Sequence, residues 1–244
     1  GLGDVYKRQL PEIEMGREHF GRIGIEAVRA GKVGAVLLAG GMGTRLGSDA
    51  PKGMYDIGIS RHVYIFQRVI ENLMKVVSKS GNYIQLFVMT SEKNHDATVN
   101  FFREHDYFGY DSEYIAFFMQ DMAPAADYGG KVYMEAKDCI ATSPNGNGGW
   151  FLSMKKSGLM ELIEKRGIEW LNVFAVDNVL QSIADPVFIG AVLEGGYSVG
   201  SKVIRKVSPD EKVGVMCTED GRPSIVEYIE LTDDMLTQKD ENGE

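Results

Sequence analysis

Hydrophobic residues recur along the chain in two patterns, a helical period of about 3.6 residues and short continuous runs. The helical period predicts helices over residues 20–28, 60–80, 95–105 and 159–166. Ser60 is expected to cap the second of these helices and Gly81 to end it, and Asp185 before Pro186 predicts a further helix start. Apolar runs predict buried strands over residues 33–39, 84–89, 114–118 and 170–176. This alternation favours an α/β sheet with helices on both faces and right-handed crossovers.

The pattern changes after about residue 195, where the chain becomes rich in predicted strands. Alternating apolar and polar residues predict short strands over residues 197–204, 213–218 and 224–229. Turn-forming residues at 208–210 and 219–221 separate them. We therefore expect a β-rich region to follow the α/β sheet.

Composition narrows the class of protein. The 244 residues include 26 Lys and Arg against 35 Asp and Glu, a net charge of −9, which argues against a nucleic-acid-binding surface. Two cysteines are too few for a disulfide framework, so a cytoplasmic protein is expected. No apolar run is long enough for a transmembrane helix, so no membrane partner is expected. The four histidines lack metal-ligand spacing, and no Gly-x-Ser-x-Gly motif suggests a nucleophilic serine.

The glycine-rich segment at residues 38–47, followed by Pro51 and Lys52, carries the strongest chemical signal. Glycines after a buried strand let the backbone approach a ligand closely, and Arg45 and Lys52 supply cations suited to phosphate oxygens. A dinucleotide fingerprint does not fit, because Leu46 stands where its third glycine is required. A Walker loop does not fit either, because no Gly-Lys-Ser/Thr follows. A plain glycine turn with solvated charges is disfavoured for the complete string.

The segment from residue 38 to 56 resembles the signature loop of sugar nucleotidyltransferases, and in detail the UDP-N-acetylglucosamine branch of the UDP-sugar pyrophosphorylase family. Further segments resemble that family in the same order, at residues 118–120, 144–149, 176–178, 184–188, 213–215 and 226–228. The resemblance implies a Rossmann-like nucleotidyltransferase fold (GT-A-like), with a mixed sheet and a β-rich sugar-binding region after about 195. Residues 1–9, which lack an initiator Met, are expected to be a non-native leader, and residues 10–244 a catalytic domain incomplete at its C-terminus.

The same resemblance implies roles for individual residues. Arg45 would bind the leaving pyrophosphate, Lys52 the phosphate being transferred, and Asp177 a Mg²⁺ ion. Gln120 and Gly146 would contact uracil, and Asn147 the sugar. The implied substrate-binding residues are Leu38, Ala39, Gly40, Gly41, Gln120, Gly146, Asn147, Gly214 and Glu227.

Without the resemblance, these residues permit simpler interpretations. Gln120 could be a solvated or core glutamine, and residues 146–149 a flexible loop. Asp177 could cap a turn, although a carboxylate at the carboxyl end of a parallel strand is also a natural Mg²⁺ ligand beside phosphates. Glu227 on a strand is more often simply solvated.

The implied reaction is uridylyl transfer, in which UTP and a sugar 1-phosphate give a UDP-sugar and pyrophosphate with Mg²⁺ as cofactor. N-acetylglucosamine 1-phosphate is the favoured sugar substrate, and glucose or galactose 1-phosphate is the alternative within the same enzyme class. A nucleotide-binding fragment without turnover is the alternative from another class. The oligomeric state is not predicted.

Overall fold

The computed structural model describes residues 10–144, 146–204, 206–208, 211–220 and 222–237. The chain forms two compact units. The larger unit spans Arg17–Gly196, and the smaller one combines Gly1–Gly16 with Tyr197–Glu244. The predicted leader at residues 1–9 lies outside the described residues.

The described residues form eight α-helices and ten strands. The helices are α1 (Leu10–Met15), α2 (Arg17–Arg29), α3 (Ile65–Ser80), α4 (His95–Glu104), α5 (Trp150–Lys156), α6 (Leu159–Arg166), α7 (Pro186–Glu194) and α8 (Asp233–Thr237). The strands are β1 (Val33–Leu38), β2 (Gln85–Thr90), β3 (Ile115–Met119), β4 (Met122–Pro124), β5 (Met134–Ala136), β6 (Cys139–Ile140), β7 (Thr142–Pro144), β8 (Trp170–Ala175), β9 (Val215–Glu219) and β10 (Arg222–Val226). No described helix combines the length and apolar character that crossing a bilayer requires.

A four-stranded parallel sheet forms the centre of the larger unit, with strand order β3-β2-β1-β8. In its register Leu38 of β1 lies opposite Met89 of β2 and Ala175 of β8. Because the strands are parallel and in step, their carboxyl ends meet at one edge. Short antiparallel pairs, β4 with β7 and β5 with β6, form part of the excursion between β3 and α5.

Hydrophobic side chains cover both faces of this sheet, as the sequence predicts. Ala35 and Leu37 of β1 pack into a cluster with side chains from α2, α3, α4 and α7. Val36, between them, points to the opposite face and packs in a cluster with Met154 of α5 and Ile163 of α6. Successive residues of β1 thus contact different helical layers, which confirms the α/β class with helices on both faces.

The predicted start of the long helix at Ser60 is wrong. Helix α3 begins at Ile65 after Tyr64, and Gly81 ends it in the left-handed conformation with φ +76°, as predicted. The Asp56 carboxylate accepts hydrogen bonds from the N–H groups of Gly58 at 2.8 Å and Val63 at 3.0 Å. These bonds close residues 56–63 into a loop, so the backbone around Ser60 cannot enter the helix.

The predictions for the region after residue 195 are partly confirmed. Strands β9 and β10 pair antiparallel, close to two of the predicted strands. Residues 197–204 form no strand in the structure, and Val199 and Ile204 are largely exposed there. A segment with an alternating pattern forms a strand only where a neighbouring backbone accepts hydrogen bonds from its N–H groups and donates hydrogen bonds to its C=O groups. No described strand pairs with residues 197–204. The sequence also did not predict α1, α5 or the strands within residues 122–144.

Two glycines allow α2 and α7 to pack at close range. A Cβ atom added at Gly24 would lie 1.9 Å from the carbonyl oxygen of Pro186, and one at Gly190 would lie 1.9 Å from that of Phe20. Backbone atoms cannot move aside as a flexible side chain can. Each helix therefore needs a glycine where the other crosses it.

We expect Gly24→Ala to lower the free energy of unfolding by about 1–3 kcal/mol, because the added methyl group forces the two helices apart. Gly21 lies on the same helix, and a Cβ there would meet only Val187 Cγ2 at an ordinary 3.8 Å. Gly21→Ala is therefore expected to raise stability by about 0.5–1 kcal/mol through helix propensity. Urea unfolding of both variants measures the difference, and equal effects would contradict the close-packing argument.

The loop at residues 56–63 is expected to depend on pH. The N–H groups of Val63 and Gly58, together with the imidazole of His62, lower the pKa of the Asp56 carboxyl from 3.8 to about 2. The carboxylate's stabilising effect is thus present above pH 3.8 and is lost as the pH falls towards 2. A carboxyl NMR titration should give a midpoint near 2. A midpoint near 3.8 would show that the loop does not hold the carboxylate.

Candidate active site

Most of the predicted site residues lie at the carboxyl edge of the sheet, where open α/β folds bind ligands. Strand β1 ends at Leu38 and continues into the glycine loop, which we define as residues 39–43. Gln120 follows β3 directly, and Asp177 follows β8 after Val176. Strands from three places in the sequence thus deliver polar groups to one edge.

Backbone hydrogen bonds fold the glycine loop back towards Lys52. The N–H of Ala39 donates to the carbonyl of Met89 at 2.8 Å, which extends the sheet by one residue. Beyond the glycines, the Gly43 N–H donates to the Ala50 carbonyl at 2.8 Å, and the Lys52 N–H donates to Gly41 at 3.2 Å. The loop and the lysine therefore form one connected element.

The Gln120 side chain lies against the backbone of Gly40. A Cβ atom at residue 40 would lie 2.6 Å from Gln120 Nε2 and 2.8 Å from its Cδ. Gln120 is 8% exposed, and its backbone N–H donates to the Thr90 carbonyl at 2.8 Å. The glutamine amide, which both donates and accepts hydrogen bonds, is thus held against the glycine backbone.

Lys52 and Asp177 form an ion pair, with 2.5 Å between Lys52 Nζ and Asp177 Oδ1. The Lys52 side chain is only 19% exposed, whereas that of Asp177 is 64% exposed. Lys52 begins a 3₁₀ turn whose next residue, Gly53, lies directly on the ring of Phe66; an added Cβ would be 2.2 Å from that ring. Close packing of Gly53 thus places the lysine, and the exposed carboxylate leaves an oxygen-donor group at the surface of the site.

The loop that carries Gly146 and Asn147 is tied to the segment after Gln120 by one buried serine. Gly146 has φ +74°, a conformation that favours glycine, and Asn147 begins a 3₁₀ turn leading into α5. Ser153 Oγ of α5 donates to the Gly149 carbonyl at 3.0 Å and accepts from the Asp121 N–H at 2.9 Å. Lys156 Nζ also binds Asp121 Oδ2 at 2.5 Å.

The other predicted residues are placed less directly. The backbone of Arg45 lies in a 3₁₀ turn over Thr44–Leu46, and its side chain is outside the described part of the chain. Gly214 and Glu227 are neighbours in the smaller unit, just before β9 and after β10, where a Cβ at Gly214 would lie 3.5 Å from Glu227 Oε1. Both stay predictions for a sugar pocket.

Asn94 is a site residue that the sequence did not reveal. It is fully buried, and its Oδ1 accepts from the Ser91 N–H at 2.8 Å. Its Nδ2 donates to the carbonyls of Ala39 at 3.0 Å and Gly41 at 3.3 Å, one on each side of Gly40. From the sequence alone, an asparagine just before a helix is interpreted as an N-cap. The hydrogen bonds of Asn94 to the glycine loop can be found only from the structure.

Thr90 holds the backbone around Gln120 in place through hydrogen bonds. Its hydroxyl contacts the Phe118 carbonyl at 3.1 Å and His95 Nδ1 at 2.8 Å, and its carbonyl accepts from Gln120. The turn from Thr90 to His95 therefore holds both the glycine loop and Gln120.

No group of three or more His, Cys, Asp or Glu side chains converges anywhere in the described ranges. Asp177 is thus a single carboxylate and not part of a protein cage. One carboxylate suits a cation that takes its other ligands from phosphate oxygens and water.

The sequence profile described as UTP–glucose-1-phosphate uridylyltransferase matches residues 22–243. The chain belongs to this family. The match spans both the strands that form the candidate site and the β9–β10 pair of the smaller unit.

Individual members of the uridylyltransferase family are also similar to this chain. It is 40% identical over 229 residues to the UDP-N-acetylglucosamine pyrophosphorylase of Saccharomyces cerevisiae, covering 92% of this chain and 48% of that protein. It is 38% identical to the human UDP-N-acetylhexosamine pyrophosphorylase-like protein 1, covering 93% and 46%. The inhibitor complex of the Trypanosoma brucei uridine diphosphate N-acetylglucosamine pyrophosphorylase superposes with a TM-score of 0.87 at 31% identity, covering 100% and 52%. The chain thus spans about half the length of these relatives.

We expect Asn94→Ala to destabilise the protein by about 1–3 kcal/mol, because it removes the amide that binds the buried Ala39 carbonyl and the buried Ser91 N–H. Faster hydrogen exchange at the Gly43 amide should accompany the loss of stability. Asn100→Ala is the matched control, since Asn100 lies exposed on the helix that follows Asn94 and its side chain accepts a hydrogen bond from Arg103. That variant should stay within about 0.5 kcal/mol of the parent. Equal effects of the two substitutions would contradict a role for Asn94 in holding the loop.

Proposed function

We propose that this chain carries the nucleotide site of a uridylyltransferase that makes a UDP-sugar and pyrophosphate from UTP and a sugar 1-phosphate. The observation that supports this most directly is the arrangement at the carboxyl edge. The glycine loop, the Gln120 amide and the Lys52–Asp177 pair lie together there. The transfer needs an amide to recognise the base, which Gln120 would supply, and a backbone that phosphates can approach, which the glycine loop would supply. It also needs a cation and a metal ligand, for which Lys52 and Asp177 are the candidates.

In the proposed reaction an oxygen of the sugar phosphate attacks the α-phosphorus of UTP in line, and pyrophosphate leaves from the opposite side. The P–O bond to the sugar phosphate forms as the bond to pyrophosphate breaks, so no protein nucleophile is required. The protein's part is to orient the two substrates and to stabilise negative charge on phosphate oxygens. Lys52 would bind the phosphate being transferred, and Arg45 the leaving pyrophosphate.

The uracil and sugar contacts follow from donor and acceptor chemistry. Gln120 offers both an N–H donor and a carbonyl acceptor, which matches the edge of uracil. Gly146 would bring backbone close to the base, and Asn147 would bind a sugar hydroxyl. Gly214 and Glu227 are proposed to contribute to the sugar pocket, where a carboxylate can accept hydrogen bonds from hydroxyls.

A divalent cation fits Asp177, and Mg²⁺ is the proposed ion. The carboxylate is largely exposed, and a single carboxylate with phosphate oxygens and water is the ligand set that Mg²⁺ prefers. When bound, the ion would neutralise charge on the triphosphate. Lys52 holds Asp177 Oδ1 in this structure, so phosphate oxygens would have to draw the ammonium group away before the carboxylate could serve the cation.

N-acetylglucosamine 1-phosphate is the proposed sugar substrate. The support is that the yeast and trypanosomal relatives are named for UDP-N-acetylglucosamine, and the human relative for an N-acetylhexosamine. Glucose 1-phosphate is the second candidate, because the family description names glucose. Comparing pyrophosphate release with UTP and each sugar phosphate distinguishes the two.

Nucleotide binding without turnover is the remaining alternative, because the chain spans about half of its relatives. Titration with UTP and with the UDP-sugar measures binding, and pyrophosphate release measures catalysis. Saturable UTP binding without release would support a binding fragment. Absence of both would contradict the proposed function.

We expect Arg45→Ala and Lys52→Ala each to lower kcat by about 10²-fold or more, since each removes a group that stabilises phosphate charge in the transition state. Lys32→Ala is the matched control, because Lys32 also pairs with an acidic residue, Glu169, but at the amino edge of the sheet. Its turnover should match the parent, and circular dichroism should show that all three variants fold. Near-normal kcat in the first two variants would contradict their assigned roles.

A further inference from the structure

Thr90 lies beside the strand end that carries Gln120. It is the last residue of β2 and is fully buried. Its backbone pairs with Met119, the last residue of β3, and its carbonyl accepts from the Gln120 N–H at 2.8 Å. A group that holds Thr90 in place therefore also holds the backbone of Gln120.

The single proton of the Thr90 hydroxyl fixes the directions of two hydrogen bonds. Oγ1 lies 3.1 Å from the Phe118 carbonyl oxygen and 2.8 Å from His95 Nδ1. A carbonyl oxygen can only accept, so the threonine donates its proton to Phe118. The other bond then forms only when His95 Nδ1 carries a proton and donates it to Oγ1.

His95 closes the turn between β2 and α4. The residue is half-buried and begins α4, directly after the buried Asn94. Its backbone N–H donates to the Ser91 carbonyl at 2.9 Å, and the N–H of Asn94 donates to the same carbonyl at 3.1 Å. The turn is thus closed by backbone hydrogen bonds at Ser91 and by the imidazole at Thr90.

The same turn holds the backbone against which the Gln120 amide lies. Asn94 Nδ2 donates to the carbonyls on both sides of Gly40, and the Gln120 side chain lies against Gly40. His95 therefore binds the residue that holds the Gln120 backbone and directly follows the residue that holds Gly40. A shift of Thr90 relative to Asn94 would separate the amide from its support.

We propose that His95 is a positioning residue for uracil recognition, because its Nδ1–H donates to Thr90 and thereby fixes the place of the Gln120 amide. This role rests on the proposed uridylyl transfer, in which Gln120 contacts the base. It requires no contact between His95 and the nucleotide. Loss of the donor is expected to weaken binding of the uridine part of UTP and to leave binding of its phosphates unchanged.

The variants His95→Asn and His95→Asp separate the hydrogen-bond donor from the shape of the side chain. The two new side chains have nearly the same size, but the asparagine amide can donate to Thr90 Oγ1, whereas the aspartate carboxylate only accepts and competes with Phe118 for the threonine's proton. A carboxylate in the first turn of a helix is favourable, so His95→Asp should not weaken α4 itself. Ala97→Asp is the matched control, since it adds the same charge at an exposed position of that turn.

NMR and ligand titration provide three measurements. Long-range ¹H–¹⁵N spectra in alkaline solution, where imidazole is neutral, should show His95 protonated at Nδ1 and unprotonated at Nε2. The side-chain amide signals of Gln120 should move in His95→Asp and stay near the parent positions in His95→Asn and Ala97→Asp. The Kd for UTP should rise about 10-fold in His95→Asp, whereas the Kd for inorganic pyrophosphate, which has no base, should stay within about twofold of the parent.

The possible outcomes separate the role of His95 from the proposed function. An Nδ1 without a proton would overturn the proposal, as would Gln120 signals that shift equally in the Asn and Asp variants or equal losses of UTP and pyrophosphate affinity. If His95→Asp does not fold, the tautomer of the parent and the UTP affinity of His95→Asn, expected to equal that of the parent, decide the role. A parent chain that binds no UTP would contradict the proposed function, and the tautomer and the Gln120 signals would then decide whether His95 holds the amide.

Discussion

The candidate site depends on one constraint, the close approach of the Gln120 side chain to the backbone of Gly40. The parallel register brings the ends of β1 and β3 to the same edge, with β2 between them. A side chain at position 40 would displace the glutamine amide from its place against this backbone. The base-reading candidate and the loop that would admit phosphates are thereby placed side by side, and the remaining polar groups of this edge are arranged around them.

Loops at a sheet edge have few regular hydrogen bonds of their own, and buried polar side chains supply the rest. Asn94 donates to the Ala39 and Gly41 carbonyls, on both sides of Gly40. Thr90 binds the Phe118 carbonyl and the Gln120 N–H, on both sides of Met119. Ser153 links the Gly149 carbonyl to the Asp121 N–H. A buried donor or acceptor without a partner costs more than a typical hydrogen bond contributes, so each of these contacts strongly disfavours alternative loop positions. Such preorganisation is what a transfer reaction without a protein nucleophile requires.

The two edges of the sheet differ in how their polar groups are satisfied. At the carboxyl edge the buried amides of Asn94 and Gln120 have backbone partners or lie against glycine. At the amino edge Gln85 and Arg166 each retain one buried atom without a partner in the described structure. The polar groups at the carboxyl edge are thus the better connected of the two sets.

The sequence alone determined what depends on local preference. Periodicity predicted the central helices and strands, Asp185 and Pro186 predicted the start of α7, and the ordered motifs indicated the family. Only the tertiary structure decided features that depend on which distant surfaces meet. The Asp56 contacts moved the start of α3 away from Ser60, Gly24 proved necessary because of Pro186, and Asn94 acts on a loop more than fifty residues earlier. The pairing of Lys52 with Asp177 likewise joins residues 125 positions apart. Turn and helix preferences are encoded within a few residues, whereas packing and buried hydrogen bonds are set by the register of the whole sheet.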